Sequence, residues 1–152
     1  MNPDDVTLGP MLAHVHRHMR RELDAALLAA CGASAGVWDR WGAVRLLDTE
    51  LRPCLRVERD LVDRVIQSMP PASAEHLWTL GELLEALGRR LCELGRLAQG
   101  GADFLRAAEK YRLAFEYWCR EVEGSVGPVD RDAAPADVVD RLEARAPHTA
   151  VV

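Results

Sequence analysis

Two segments of five residues share one pattern, and their residue types are ones that bind metals. They are Cys-Leu-Arg-Val-Glu at residues 54–58 and Cys-Arg-Glu-Val-Glu at residues 119–123. Each places a thiol and a carboxylate four residues apart, and positions i and i+4 of a helix share one face. A soft thiolate beside a hard carboxylate is a donor set that suits iron or zinc. Where these segments are helical, each therefore directs two metal ligands to one side.

Two histidines are the further candidates for such a site. His16 lies in the first long helical stretch, where His14 and His18 are spread around the same helix. His76 lies near the start of the third stretch. One sulfur or imidazole on each helix is the pattern expected when a four-helix bundle builds a site in its core. The predicted metal ligands are His16, Cys54, Glu58, His76, Cys119 and Glu123, and the spacing assigns no catalytic residue.

Each of these residues also has an ordinary structural interpretation. Cysteine is among the most buried residue types, and a glutamate near arginines often lies on a solvated helix face. A histidine at the edge of an apolar stripe, as at His16, is more often a partly exposed polar side chain than a ligand. The repetition of one pattern on two separate helices is what favours a shared site.

Length and composition limit the classes of protein to which the chain can belong. With 152 residues, 49% of them hydrophobic, it is long enough for one folded domain with its own core. Its formal net charge of −5 argues against nonspecific binding of nucleic acids, which requires a basic face. The N-terminal residues lack a secretory pattern, and no apolar run reaches membrane-spanning length. We therefore expect a cytoplasmic protein that binds neither nucleic acid nor membrane, with its four cysteines reduced.

Apolar residues recur with a helical period along most of the chain and predict four long helices. These helices are predicted to span residues 7–30, 37–67, 74–99 and 103–123. Their candidate N-caps include Thr7, Ser73 and Asp103. Pro53 falls inside the second helix and removes one hydrogen bond, so we expect a kink just before Cys54. We expect the large aromatic residues to fill the core, namely Trp38, Trp41, Trp78, Phe104, Tyr111, Phe115, Tyr117 and Trp118.

Long helices joined by short loops favour an antiparallel up-down bundle. We therefore predict an all-α fold in which residues 1–130 form a four-helix bundle. Residues 131–152 are expected to add a short helix, at residues 136–144, and a flexible tail. In this topology the second and fourth helices run in the same direction, so that Cys54 and Cys119 lie at a similar depth.

Four stretches of the chain, in order, resemble the helix motifs of bacterial hemerythrin-like domains. Residues 16–23 are similar to the first-helix motif of that family. Residues 51–58 are similar to its second, in which a histidine precedes a glutamate by four residues. Residues 75–77 resemble the opening of its third helix. Residues 119–123, followed by Gly-Pro at residues 127–128, resemble the fourth-helix motif.

The resemblance implies a metal centre held between the four helices. Hemerythrin-like domains hold a non-haem di-iron centre and act in oxygen binding, oxygen or nitric oxide sensing, peroxide handling or iron chemistry. By match, the ligands here are His16, Glu58, His76 and Glu123, with Cys54 and Cys119 where the family has histidine. The third helix also lacks the second histidine of the family.

The two thiols leave the identity of the metal open. A single iron, a di-iron site bridged by Glu58 and Glu123, a thiolate-ligated haem and a tetrahedral Cys2His2 zinc site are all consistent with these donors. A disulfide between Cys54 and Cys119, without any metal, is a further alternative.

The function that we expect first is a non-haem iron centre that handles oxygen, peroxide or nitrogen oxides, or performs an oxidative step on a small molecule. The alternatives are a metal-free binding or regulatory module, in which the family's histidines are lost, and a structural zinc bundle. A homodimer is compatible with each of these.

Overall fold

The structure is a computed structural model of the chain, and it describes residues 6–32 and 35–145. These residues form helices and no strand, so the predicted all-α class is confirmed. Within them, the α-helices are α1 (Gly9–Ala30), α2 (Val37–Leu46), α3 (Arg52–Val65), α4 (Pro71–Gly95), α5 (Gly101–Ser125) and α6 (Ala136–Arg145). A π-helix at Leu47–Leu51 joins α2 directly to α3, and short 3-10 turns occupy Ile66–Ser68 and Arg131–Ala133.

Apolar residues at a helical period build the core. The inner face of α4 includes Leu77 and Leu84, which are buried as the sequence predicts. The inner face of α1 includes Leu12 and Met19, and His16 lies on the same face. Because every third or fourth residue of a helix points the same way, this spacing carries the imidazole into the interior with its apolar neighbours.

The second predicted helix changes its winding just before Cys54. The backbone N–H of Arg52 donates to the carbonyl of Leu47, five residues back, which is the spacing of a π-helix. Pro53 follows at once and has no N–H to donate. The structure thus has a π-helical turn at the position of the predicted kink, and such turns are rare but often lie at functional sites.

The boundaries of the helices differ from the predicted ones at their starts. The predicted N-caps Thr7, Ser73 and Asp103 do not cap their helices. Instead, α4 begins at Pro71, whose fixed φ and missing N–H suit a first helical turn. α5 begins after Gly100, which has a φ of 98° in the left-handed region that favours glycine.

The turn between α4 and α5 is held against α2. The guanidinium of Arg40, buried on α2, donates from Nη2 to the carbonyls of Leu97 and Ala98, each at 3.3 Å. Gly95 lies so close to Val44 of α2 that a β-carbon at residue 95 would collide with it. These contacts fix α2 across the end of the α4–α5 pair.

The prediction for the aromatic residues is half right. The buried ones are Phe104, Tyr111, Phe115 and Trp118. The exposed ones, for which the prediction is wrong, are Trp38, Trp41, Trp78 and Tyr117. Because α2 turns Ala43 and Val44 inward, Trp38 falls on the opposite side of that helix and is 83% exposed.

Ion pairs between α1 and α5 show the relative direction of these two helices. Arg20 Nε lies 2.5 Å from Glu116 Oε1, and Arg112 Nε lies 3.0 Å from Asp24 Oδ1. A step forward along α1 therefore corresponds to a step backward along α5, so the two helices are antiparallel. α4 and α5, which a short turn connects, are antiparallel as well.

The predicted C-terminal helix is confirmed as α6, which packs against α1 and α3. It buries Val138 and Leu142, and Arg141 donates to Asp60 of α3 at 2.6 Å. The predicted tail, at residues 146–152, lies outside the described residues. In the part of the chain that the structure describes, every helix is too short or too polar to cross a membrane.

Candidate functional site

Three helices bring the side chains of His16, Glu58 and Glu123 into contact. His16 lies on α1 and is only 1% exposed, while Glu58 on α3 is completely buried. The Nε2 atom of His16 lies 2.5 Å from Glu58 Oε1, and its Nδ1 atom lies 2.9 Å from Glu123 Oε2 on α5. One imidazole thus joins two carboxylates that are far apart in sequence.

Two thiols complete this group, which we call the His16 cluster: His16, Cys54, Glu58, Cys119 and Glu123. Cys119 lies close enough to the imidazole for the positive charge of His16 to act on its thiol. Cys54 lies on the α3 face that carries Glu58, one helical turn away. Both thiols are buried and free, so the alternative of a disulfide between them is not what the structure contains.

The imidazole of His16 is positively charged at neutral pH. Burial alone lowers the pKa of His16, but the negative charge of Glu58, the neighbouring Cys119 and the hydrogen bond to Glu58 outweigh burial and raise it to about 11. An imidazolium has two N–H donors, and here each of them meets a carboxylate oxygen. His16 therefore supplies the positive charge that lets the Glu58 carboxylate remain in the interior.

Burial keeps the neighbouring thiols protonated at neutral pH. Desolvation, followed by the negative charge of Glu58, raises the pKa of Cys54 to about 12. Desolvation also raises the pKa of Cys119, although the positive charge of His16 opposes it. Since thiolates are the form that binds metals, a metal ion at the His16 cluster would have to displace protons from these groups.

One oxygen of the cluster has no partner. Oε1 of Glu58 accepts from His16, but Oε2 of the same buried carboxylate makes no hydrogen bond with any of the described residues. Unpaired buried polar atoms are uncommon, and an unpaired carboxylate oxygen is more costly than a neutral group. An orphaned oxygen among imidazole and thiol side chains is consistent with a further ligand of the carboxylate.

The structure does not bring His76 to this cluster. His76 is exposed on α4, with its ring edge-on to Tyr117 at 5.8 Å between centroids. Its Nε2 atom lies 3.9 Å from Glu121 Oε2. The adjacent Leu77 points into the core, and one residue around a helix turns a side chain by about 100°, so His76 faces away from it.

The donor groups of the cluster are not arranged around a common empty point. Among residues 6–32 and 35–145, no group of three or more His, Cys, Asp and Glu side chains is positioned to hold a metal ion. The geometry of His16 explains this, because its two nitrogens lie on opposite sides of the ring and each is occupied by a carboxylate. A metal could reach His16 only after one of these hydrogen bonds is broken.

A recess of about 250 Å³ leads from the surface towards Cys54. It lies between α1, the π-helix and α6, and the polar residues that line it with Cys54 are His18, Glu22, Glu50 and Arg145. The residue pattern that predicts the metal ligands does not predict this recess. A signal exists in the pairs His18–Glu22 and Glu50–Cys54, each spaced by four residues, but the position of α6 over them cannot be read from spacing.

No protein-family model matches the chain, and it is similar to no curated protein and to no solved structure. Its function is therefore inferred from the His16 cluster and from the recess beside it.

Proposed function

We propose that this chain is a divergent hemerythrin-like protein whose His16 cluster binds a metal ion, most favourably non-haem iron. Its four long helical segments would form the antiparallel up-down bundle of that family. The observation that carries the proposal is the contact of His16 with Glu58 and Glu123. The stretches that resemble three of the family's four helix motifs meet at this contact.

The residue types of the cluster fit a transition metal. Imidazole, carboxylate and thiolate are ligands of iron and zinc, and Oε2 of Glu58 is a buried acceptor without a partner. His16, Glu58, Glu123 and Cys119 would hold the metal, with Cys54 as a further donor. Binding of a divalent cation would require His16 and each ligating thiol to give up a proton, and the carboxylates and thiolates would then supply the negative charge around the metal.

Bound iron would supply a redox change and a coordination position for a small oxidant such as oxygen, peroxide or a nitrogen oxide. The protein shields most of the site from water, because Glu58 and Cys119 are inaccessible to solvent, while the side chain of Glu123 is 34% exposed. The recess beside Cys54 gives a small molecule an approach to the cluster from the surface. The proposed partner is therefore a small-molecule oxidant or substrate.

Metal analysis of the purified protein tests this proposal. Protein from cells grown with added iron, and separately with added zinc, should contain about one or two equivalents of metal. Replacement of Glu58 by Gln or of Cys119 by Ser should remove most of it. The matched control is Cys92→Ser, because Cys92 is also buried but donates to Asp48, away from the cluster.

Two results would count against the proposal. One is wild-type protein that stays free of metal and takes up neither iron(II) nor zinc(II) in an anaerobic titration. The other is metal content that Glu58→Gln and Cys119→Ser leave unchanged while both variants keep the wild-type circular dichroism spectrum.

A metal-free module is the second candidate function, and it is favoured because no group of three or more His, Cys, Asp and Glu side chains among the described residues is positioned to hold a metal ion. Both nitrogens of His16 already have carboxylate partners, so the imidazolium supplies the positive charge that a metal ion would otherwise supply between the two carboxylates. In that case the cluster is a structural element, and a chelator changes neither the stability nor the spectrum of the protein. A Cys2His2 zinc site is not supported, because His76 is exposed on the outside of α4.

A further inference from the structure

An apolar groove runs along the outer surface of α4 and α5. We call it the α4–α5 face, and its apolar residues are Leu80, Leu83, Leu87, Leu113, Ala114 and Tyr117. The groove has a volume of about 720 Å³. Leu113 is 72% exposed and Leu83 is 50% exposed. Large apolar side chains gathered in one groove, rather than scattered over the surface, are typical of an interaction site.

The two ends of this groove carry opposite charge. Lys110 lines one end, and within the described residues it forms no ion pair. The other end is lined by His76, and Glu121 lies next to it, with His76 Nε2 at 3.9 Å from Glu121 Oε2. Both residues are on α5, and eleven helical residues separate them by about 16 Å. The face is therefore apolar in the middle, basic at one end and acidic at the other.

We propose that the α4–α5 face is the interface of a homodimer with a two-fold axis that crosses the helices. In a two-fold interface the same surface must match itself after rotation. An axis that crosses α5 midway between residues 110 and 121 reverses the helix direction, and Lys110 then faces Glu121 of the partner subunit. The apolar middle of the groove meets its own copy at the same time.

The charges select this axis over the other two-fold arrangement. An axis parallel to the helices would keep their direction, so that the Lys110 ends of the two subunits would lie side by side. Like charges placed together disfavour that arrangement. With the crossing axis, α5 of each subunit packs antiparallel to α5 of the other, as helices do in a bundle. This inference is independent of metal binding.

Sedimentation velocity over a range of micromolar concentrations tests the dimer. The wild-type chain should sediment as a dimer that dissociates on dilution. Leu113→Glu should weaken the dimer on the order of 100-fold, because each interface contains Leu113 twice. The high exposure of Leu113 means that the monomer should keep its helical spectrum. The control is Leu28→Glu on α1, which is 80% exposed but outside the face and should leave the dimer intact.

A charge exchange tests the direction of the axis. Lys110→Glu alone should weaken the dimer on the order of tenfold, since two pairs are reversed, and Glu121→Lys should do the same. The double variant should recover most of the wild-type affinity. A wild-type chain that is monomeric at every concentration, or a dimer that Leu113→Glu does not weaken, would overturn the proposed interface. Failure of the double variant to recover would overturn the crossing axis.

Discussion

The charge on His16 makes the stability of the metal-free protein depend on pH in a specific direction. The pKa of His16 rises from 6.5 for a free imidazole to about 11 in the folded protein. Below pH 6.5 both states hold the proton, so the stabilisation is fully present. Above it the unfolded chain loses the proton while the folded chain keeps it. Stability must therefore fall as pH rises from 6.5 towards 11.

The size of this effect follows from linkage between folding and protonation. A difference of one bound proton changes the free energy of unfolding by about 1.4 kcal/mol per pH unit. Between about pH 6.5 and pH 8.5 the loss amounts to about 2 kcal/mol, and it hardly depends on the folded pKa as long as that pKa lies well above this interval. The buried thiols of Cys54, Cys92 and Cys119, whose pKa values are raised as well, add a loss of the same sign as the unfolded thiols begin to ionise, towards about pH 8.5 and above.

Urea denaturation of chelator-treated protein, at a series of pH values in that interval, measures the effect. His16→Gln should flatten the profile, because glutamine carries no charge at any pH. Glu58→Gln should make it shallower, because it removes the carboxylate that raises the pKa of His16 most strongly. His18→Gln is the matched control on the same helix and should keep the wild-type slope. Wild-type stability that stays level or rises over this interval would refute the assignment of an imidazolium to His16.

Two further predictions concern packing and the thiols. Gly95→Ala should destabilise the fold by about 1–3 kcal/mol in urea denaturation, because its methyl group collides with Val44. Gly42→Ala is the control, and it should stabilise the fold by about 0.5–1 kcal/mol, because a β-carbon there meets no other atom. Equal effects of the two substitutions would contradict the close approach of α4 to α2. With a colorimetric thiol reagent at neutral pH, the half-buried Cys31 should react first, and the three buried cysteines should react only when the protein unfolds. Rapid reaction of all four cysteines in the native protein would contradict the burial of the cluster.

The helical periodicity of the sequence is enough to predict most of the fold. Residues 136–144 were sufficient to identify α6, and the stripe that contains Leu84 identifies the inner face of α4. The N-caps could not be predicted from residue type alone, because Pro71 and Gly100 set the starts of α4 and α5. The exposure of Trp38 could not be predicted either, because it depends on which face of α2 packs against the other helices.

Helical periodicity also predicts part of the candidate site. The spacing of Cys54 with Glu58, and of Cys119 with Glu123, puts each pair on one helix face, and the structure brings both faces towards His16. His76 looked equivalent in sequence, but the rotation of α4 turns it outward. The charge state of His16 depends on contacts between three helices, and no local pattern encodes it.

Nitrogen NMR of the ring of His16, in metal-free protein and after addition of one equivalent of zinc(II), tests the proposed metal centre most directly. At about pH 8 the metal-free ring should have a proton on both nitrogens, in contrast to an ordinary histidine. Zinc should remove at least one of these protons and shift that nitrogen to a metal-bound value. A ring that zinc leaves doubly protonated would contradict a metal centre at His16, and a neutral ring before zinc would contradict the assignment of an imidazolium to the metal-free protein.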